Sequence, residues 1–292
     1  PFIINFFKKN SFSIYDSFYM KKHLFFLLCF LLSSFLWADK PSILIGSPIR
    51  QKPLILKEFL ESLSSLETQD YEICYFFIDD NTDPSSSLLL KEFEKNQIKK
   101  CIISPPFIHT QDSYVCDEKT HHWTESLVWK VASFKNEMIK KAKEENFDYL
   151  FLIDSDIVLH PLALNQLVRA NKQIVSNVFW SSWTPESALV PQVWVKDHYT
   201  QFEIDTGESI SKEEAQKRFL SFLLKIRTPG TYEVGGLCAC TLINKEALSK
   251  GVSFSKIANL SFWGEDRHFC VRAAALGLKL FVDTHLPCYH IY

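Results

Sequence analysis

Apolar positions along the chain follow two alternating patterns. Residues 42–48 (Ser-Ile-Leu-Ile-Gly-Ser-Pro), 71–78 (Tyr-Glu-Ile-Cys-Tyr-Phe-Phe-Ile), 100–104 (Lys-Cys-Ile-Ile-Ser) and 149–153 (Tyr-Leu-Phe-Leu-Ile) are short, nearly continuous apolar runs. Such runs predict strands buried on both faces, as in parallel sheets. Between them, 54–66 carries apolar residues at 56, 59, 60 and 63, a helical spacing, and 85–96 and 124–145 also predict helices. Residues 105–123 hold Pro, His and Asp without a period and predict a loop. The second half is less regular. It predicts a strand at 173–179, an aromatic and polar loop at 180–185 and a charged amphipathic helix at 212–226. A strand-loop junction at 232–237, a helix at 265–276 ended by Gly277 and a last strand at 280–283 follow. Alternating strands and helices predict an α/β fold with a single doubly wound, mainly parallel sheet flanked by helices.

Composition bounds this further. Of 292 residues, 47% are hydrophobic and 23% charged, an ordinary globular balance. No compositional break divides 40–292, which is long enough for one large α/β domain with a sizeable core. A formal net charge of -2 supplies no electrostatic reason to expect nucleic acid as a partner, and pairs such as Lys140-Lys141 read as solvated faces. The chain opens on Pro, so 1–19 reads as an upstream extension. Met20, the basic Lys21-Lys22-His23, the apolar run 24–36 and Trp37-Ala38-Asp39 read as a secretory signal cut after Ala38. The run is shorter than the roughly 20 residues of a spanning helix; an uncleaved anchor and a buried helix are the alternatives. This predicts a secretory-pathway, exported or periplasmic destination, or membrane association through residues 24–38. Lys21-Lys22 would then place the following domain outside the cytosol. Of 8 cysteines, seven lie beyond the signal, and Cys238 and Cys240 are too close for a zinc knuckle. Buried thiols, with one or two disulfides among them, are expected instead.

Three constellations carry candidate chemistry. Asp154-Ser155-Asp156 directly follows a buried strand, and ligands of open α/β sheets bind at the carboxyl ends of strands. Two such acids can share a hard cation such as Mg²⁺ or Mn²⁺ that offsets charge on a departing diphosphate; a solvated turn is the plainer alternative. Gly264-Glu265-Asp266 opens a helix, either as a favourable N-terminus or as a general base. Beyond the last strand, His285 and His290 offer imidazoles to a metal.

Taken in order, these pieces resemble family 2 and related glycosyltransferases of the GT-A (nucleotide-diphospho-sugar transferase) fold. The matching segments are 45–48 (Ile-Gly-Ser-Pro), 77–83 (Phe-Ile-Asp-Asp-Asn-Thr-Asp) and 151–156 (Phe-Leu-Ile-Asp-Ser-Asp). Those at 264–273 (Gly-Glu-Asp-Arg-His-Phe-Cys-Val-Arg-Ala) and 282–290 (Val-Asp-Thr-His-Leu-Pro-Cys-Tyr-His) complete the set. The resemblance implies that Asp80 contacts the nucleotide base with Ser47 nearby, and that Asp154 touches ribose or metal. It implies Asp156 as principal metal ligand with His290 as its partner, His285 ranking second. Asp266 would be the catalytic base of an inverting enzyme, with Glu265 beside it. Gly235-Gly236 would admit a sugar to the backbone, Trp183 or Trp263 would stack on one, and Lys135 would face the diphosphate. The implied cofactor is Mn²⁺ or Mg²⁺, the donor a UDP- or GDP-sugar, and the acceptor a glycan, lipid or protein. Residues 48–53 are more compact and basic than the usual opening of that family.

Two rivals share features with this expectation. A haloacid-dehalogenase-type phosphohydrolase also places Asp-x-Asp after an apolar strand, although normally on its first strand. A non-catalytic sugar-binding protein would keep the fold, but both acid pairs and the terminal His are intact.

Overall fold

Eight strands form the central sheet: β1 (Ser42–Ile49), β2 (Glu72–Asp79), β3 (Lys100–Ser104), β4 (Tyr149–Ile153), β5 (Ile174–Asn177), β6 (Thr231–Val234), β7 (Cys240–Asn244) and β8 (Leu280–Asp283). The computed structural model describes residues 40–109, 115–116, 121–182, 188–196, 199–261 and 264–291. Residues 1–38, Trp183 and Trp263 lie outside the described residues. Strand order is β6-β8-β5-β7-β4-β1-β2-β3. The half from β4 to β3 is parallel throughout. β7 runs antiparallel between β4 and β5, β8 is parallel to β5, and β6 is antiparallel to β8.

Among the described residues, seven helices flank the sheet: α1 (Pro53–Ser64), α2 (Pro84–Asn96), α3 (Glu125–Glu144), α4 (Ala163–Arg169), α5 (Lys212–Arg227), α6 (Lys245–Ser249) and α7 (Glu265–Ala275). The period-2 alternation of side chains sorts each strand between two apolar layers. Ile43, Ile45, Phe151 and Ile153 face Leu56, Phe59, Leu90 and Leu164 from α1, α2 and α4. Leu44, Leu150 and Leu152 face Phe134, Met138, Ala247 and Phe269 from α3, α6 and α7. Helix starts follow local chemistry. Pro53 supplies a preset φ at the first turn of α1, and the side chains of Asp83, Thr124 and Ser211 accept from the first-turn amides of α2, α3 and α5.

Strands β3, β4 and β8 have the predicted limits, and β5 is shorter than 173–179. β7, α4 and α6 are additions to the sequence-based expectation. Within 105–123, expected as loop, residues 115–116 and 121–122 form a short antiparallel ladder. Pro41–Tyr292 forms one compact unit. Among the described residues no helix is long and apolar enough to cross a membrane.

Candidate active site

Two small clusters of charge meet at the carboxyl end of β4. Asp154 is the first residue beyond that strand. Its amide donates to the Ala239 carbonyl just before β7 (3.0 Å), and its own carbonyl accepts from Ile157 (3.2 Å), closing a tight turn. The acids of that turn face different partners. Asp156 lies 3.6 Å (Oδ2) from Nε2 of His290, with 13% and 16% of the two side chains exposed. That approach is set by a short antiparallel ladder in which His290 pairs with Ile157 and Tyr289 with Val158. The Ile291 amide also donates to the Asp156 carbonyl at 3.1 Å. Nδ1 of His290 lies 3.0 Å from the Ser181 hydroxyl, and its ring rests on Phe179 at 5.4 Å. With Nδ1 engaged, the other ring nitrogen is turned to the carboxylate.

The second cluster centres on Lys135, which α3 delivers to the interior with 3% of its side chain exposed. Its ammonium donates to Glu265 Oε1 (2.9 Å) and Asp266 Oδ1 (3.4 Å), and lies 3.5 Å from Asp154 Oδ1. Burial alone would lower its pKa, but Asp154, Asp266 and Glu265 together hold it well above the usual range. Enclosure pushes the Asp266 carboxyl up to about 8, with Glu265 and Asp154 adding to the push and Lys135 opposing it. Asp154 rises to about 6, chiefly by enclosure, against Lys135 and with Asp156. Because 37% of its side chain stays exposed, that enclosure is nearby protein mass rather than loss of all contact with water. The acids of α7 arrive at its first turn behind Gly264, whose φ of 105° is left-handed backbone suited to glycine.

A third group lies at the end of β2. Asp80 is held by the nearly buried Lys130, 2.7 Å from both carboxylate oxygens, and by Arg50 at 3.6 Å. Its carboxylate is therefore half of an ion pair and not a free acceptor.

Several residues singled out in the sequence have protein partners in the fold. Ser47 is fully buried and its hydroxyl donates to the Pro48 carbonyl at 3.4 Å. Gly235-Gly236 lies close against a neighbouring strand. A Cβ at Gly236 would stand 1.8 Å from the Trp194 ring, and one at Gly235 2.0 Å from the Val195 carbonyl oxygen. Lys135 faces carboxylates, where a diphosphate was expected. His285 turns to Asp283, its Nδ1 3.0 Å from Oδ2, and to Gln166. Trp183 and Trp263, the expected stacking residues, lie outside the described residues.

Lys130, Arg50, Ser181 and Tyr199 were not foreseen. Tyr199 packs on Trp194 with tilted rings 4.5 Å apart, and its phenol is raised by burial and then by Asp266. For the two lysines a signal existed. Leu127, Lys130, Phe134 and Met138 recur at helical spacing, as do Val128, Ala132, Lys135 and Ile139. A lysine on an apolar stripe asks for a buried counter-charge.

Asp156 and His290 together offer one hard oxygen and one imidazole. Bonds of roughly 2.1 Å put cis donors of an octahedral ion about 3 Å apart and trans donors about 4.2 Å apart. At 3.6 Å the two donors stand wider apart than a cis pair, so a side-chain shift of about 0.6 Å would bring both onto one ion. Among the described residues no three His, Cys, Asp or Glu side chains converge as a ready-made cage. Such a site suits an ion whose remaining positions are filled by water and substrate phosphate.

A mainly parallel sheet with an antiparallel strand beside the strand that carries paired acids is the GT-A arrangement of glycosyltransferases. Solved structures share it. A mannosyltransferase from Pyrobaculum calidifontis, in complex with GDP-Man and Mn²⁺, aligns over 87% of this chain and 58% of its own at TM-score 0.51 and 12% identity. GalNAc-T7, with UDP, GalNAc and Mn²⁺, aligns over 88% and 44% at TM-score 0.52 and 14% identity. Residues 40–201 match the N-terminal domain of glycosyltransferase family 25, and the chain belongs to that family. This narrows the resemblance to family 2 and its relatives. A glycosyltransferase 25 family member of Aedes aegypti is 30% identical over 146 residues. The match takes in 49% of this chain and only 24% of the mosquito protein.

Proposed function

We propose that the chain transfers a sugar from a nucleoside-diphosphate donor to an acceptor hydroxyl, with a divalent cation on the diphosphate. The observation that carries this is the joint placement of the Asp156–His290 pair and the Asp154–Lys135–Glu265–Asp266 cluster at the carboxyl edge of β4. Asp156 and His290 would hold Mn²⁺ or Mg²⁺, with Asp154 toward the ribose or the same ion. The bound ion would offset charge on the leaving diphosphate.

Asp266 is the base in this scheme. The acceptor oxygen attacks the anomeric carbon, the bond to the diphosphate breaks with its electron pair on the phosphate oxygen, and Asp266 receives the hydroxyl proton. Lys135 orients that carboxylate, with Glu265 as its second anchor. Asp80, paired with Lys130 and Arg50, lies on the edge assigned to the base and ribose. The structural relatives carry GDP-Man or UDP, so UDP- and GDP-sugars are the donors to test first. The acceptor class is a glycan, lipid or protein. Secretion or membrane anchoring through residues 20–38 belongs to the same proposal; a mature N-terminus at Asp39 would support cleavage.

The test is release of UDP or GDP from a panel of nucleotide sugars with Mn²⁺ present. Activity lost in Asp156→Ala supports the transferase. Hydrolysis of phosphate monoesters without any nucleotide sugar overturns it in favour of a phosphohydrolase. Sugar binding without turnover overturns it in favour of a non-catalytic protein.

A further inference from the structure

Cys240 and Cys288 come from distant parts of the chain and meet beside β5. Cys240 opens β7, where Thr241 is paired with Ser176, so Cys240 lies next to Asn177 at the end of β5. The Cys288 amide donates to the Val178 carbonyl at 3.0 Å, and its thiol lies 3.6 Å from the same oxygen. Burial holds the Cys240 thiol well above its usual range, and the nearby Cys288 adds to the rise. Both are enclosed in the apolar layer, at 0% and 5% exposure. Both are free thiols in this structure.

Position gives the pair its interest. The residue before Cys240 is Ala239, whose carbonyl accepts the Asp154 amide. Two residues after Cys288 is His290, the partner of Asp156. The two sulfurs thus join the segments that carry the two sides of the Asp156–His290 pair.

We propose that Cys240 and Cys288 form a disulfide when the chain folds in an oxidising compartment, stapling the start of β7 to the His290 segment. A disulfide asks for Cβ atoms about 3.8 Å apart and an S–S length of about 2.05 Å. The oxidant is a small-molecule or protein disulfide. One cysteine thiolate attacks it and releases a thiol; the second thiolate attacks the mixed disulfide and releases the other. Two electrons and two protons leave with the oxidant. Because both thiols are enclosed once folded, exchange takes place during folding.

The effect on His290 rests on the proposed role of His290 as a metal ligand; the cross-link itself does not. The test refolds the full chain in a glutathione redox buffer, blocks free thiols with maleimide in denaturant, and maps peptides without reduction. A peptide pair joining Cys240 to Cys288, lost on reduction, is expected. Maleimide on both residues, or Cys240 joined elsewhere, overturns the proposal. Cys288→Ser should expose Cys240 to maleimide; if that variant does not fold, the wild-type map decides alone. Binding of Mn²⁺ with UDP should weaken about tenfold when the cross-linked protein is reduced, and unchanged affinity overturns the staple's effect on the site. A cross-linked wild type that binds no Mn²⁺ would overturn the metal assignment and leave the disulfide standing.

Discussion

Lys135 serves the fold and the chemistry at once, and its substitution should separate the two. Lys135→Met removes an ammonium that touches Asp154, Glu265 and Asp266 together. Stripping one partner from a buried ion cluster costs about 3–5 kcal/mol, to be read from the urea midpoint, with Lys135→Arg losing less. The chemical effect has a direction of its own. Asp266 stands at about 8 because enclosure outweighs the pull of Lys135. As a base it works only when ionised, so kcat/KM should rise with pH and level off above about 8. In Lys135→Met, where it folds, that limb should move to higher pH; an unmoved limb would mean that Asp266 is not the group titrating. Ser181 bears on the other pair. Ser181→Ala releases Nδ1 of His290 and should weaken Mn²⁺ binding about 10–100-fold by calorimetry, as loss of a partner behind a ligand does. That Asp154 and Asp156 lie just beyond a strand was legible in the sequence, because an apolar run precedes them. Lys130 stood on an apolar stripe without being singled out, and Arg50 carried no such signal, since only the packed structure brings Asp80 to it.

The elements were legible where one pattern governed them and obscure where tertiary contacts did. β1, β2 and β4 announce themselves as continuous apolar runs because both faces of the sheet are covered. β7 is only Cys240–Asn244, with Gly235-Gly236 shortly before it, and its antiparallel place between β4 and β5 is made by pairing across long separations. The same glycines read as a ligand turn in the sequence; in the fold Gly236–Leu237 pairs with Val193–Trp194, and close packing on Trp194 is itself a cause for glycine there. That cause is testable. Gly236→Ala drives a Cβ into the Trp194 ring, and should destabilise by about 1–3 kcal/mol, as overpacking does, by thermal or urea unfolding. Adding Trp194→Ala makes room for that Cβ, so the double variant should lose less than the two single losses summed. Simple additivity would show that Gly236 is required for some reason other than this contact.

Across the whole domain, an acid cluster short of protein ligands makes stability depend on pH and on ligand together. Asp154 and Asp266 rise from an ordinary 3.8 to about 6 and about 8. The folded state therefore keeps protons that the unfolded chain has already released. Their contribution to stability is complete below about 4 and is lost as pH climbs through about 6 and then about 8. In the apo protein the Tm should accordingly fall across that window. A divalent cation with a nucleoside diphosphate prefers the ionised carboxylates, so its stabilisation should grow across the same window. At a concentration of 100 times Kd, binding contributes about 2.7 kcal/mol, or roughly 5–10 °C for a domain of this size. Mn²⁺ alone should give less than Mn²⁺ with UDP or GDP, because among the described residues no three protein ligands close on the ion and the diphosphate has to complete it. Differential scanning fluorimetry at about pH 5.5 and pH 8, with wild type and Asp156→Ala, reads all of this. An increment that Asp156→Ala retains, or that does not change with pH, would place the ion somewhere other than the carboxyl edge of β4. An increment that grows with pH, needs the diphosphate and vanishes in Asp156→Ala would tie the ion, the donor and the acid cluster to one site.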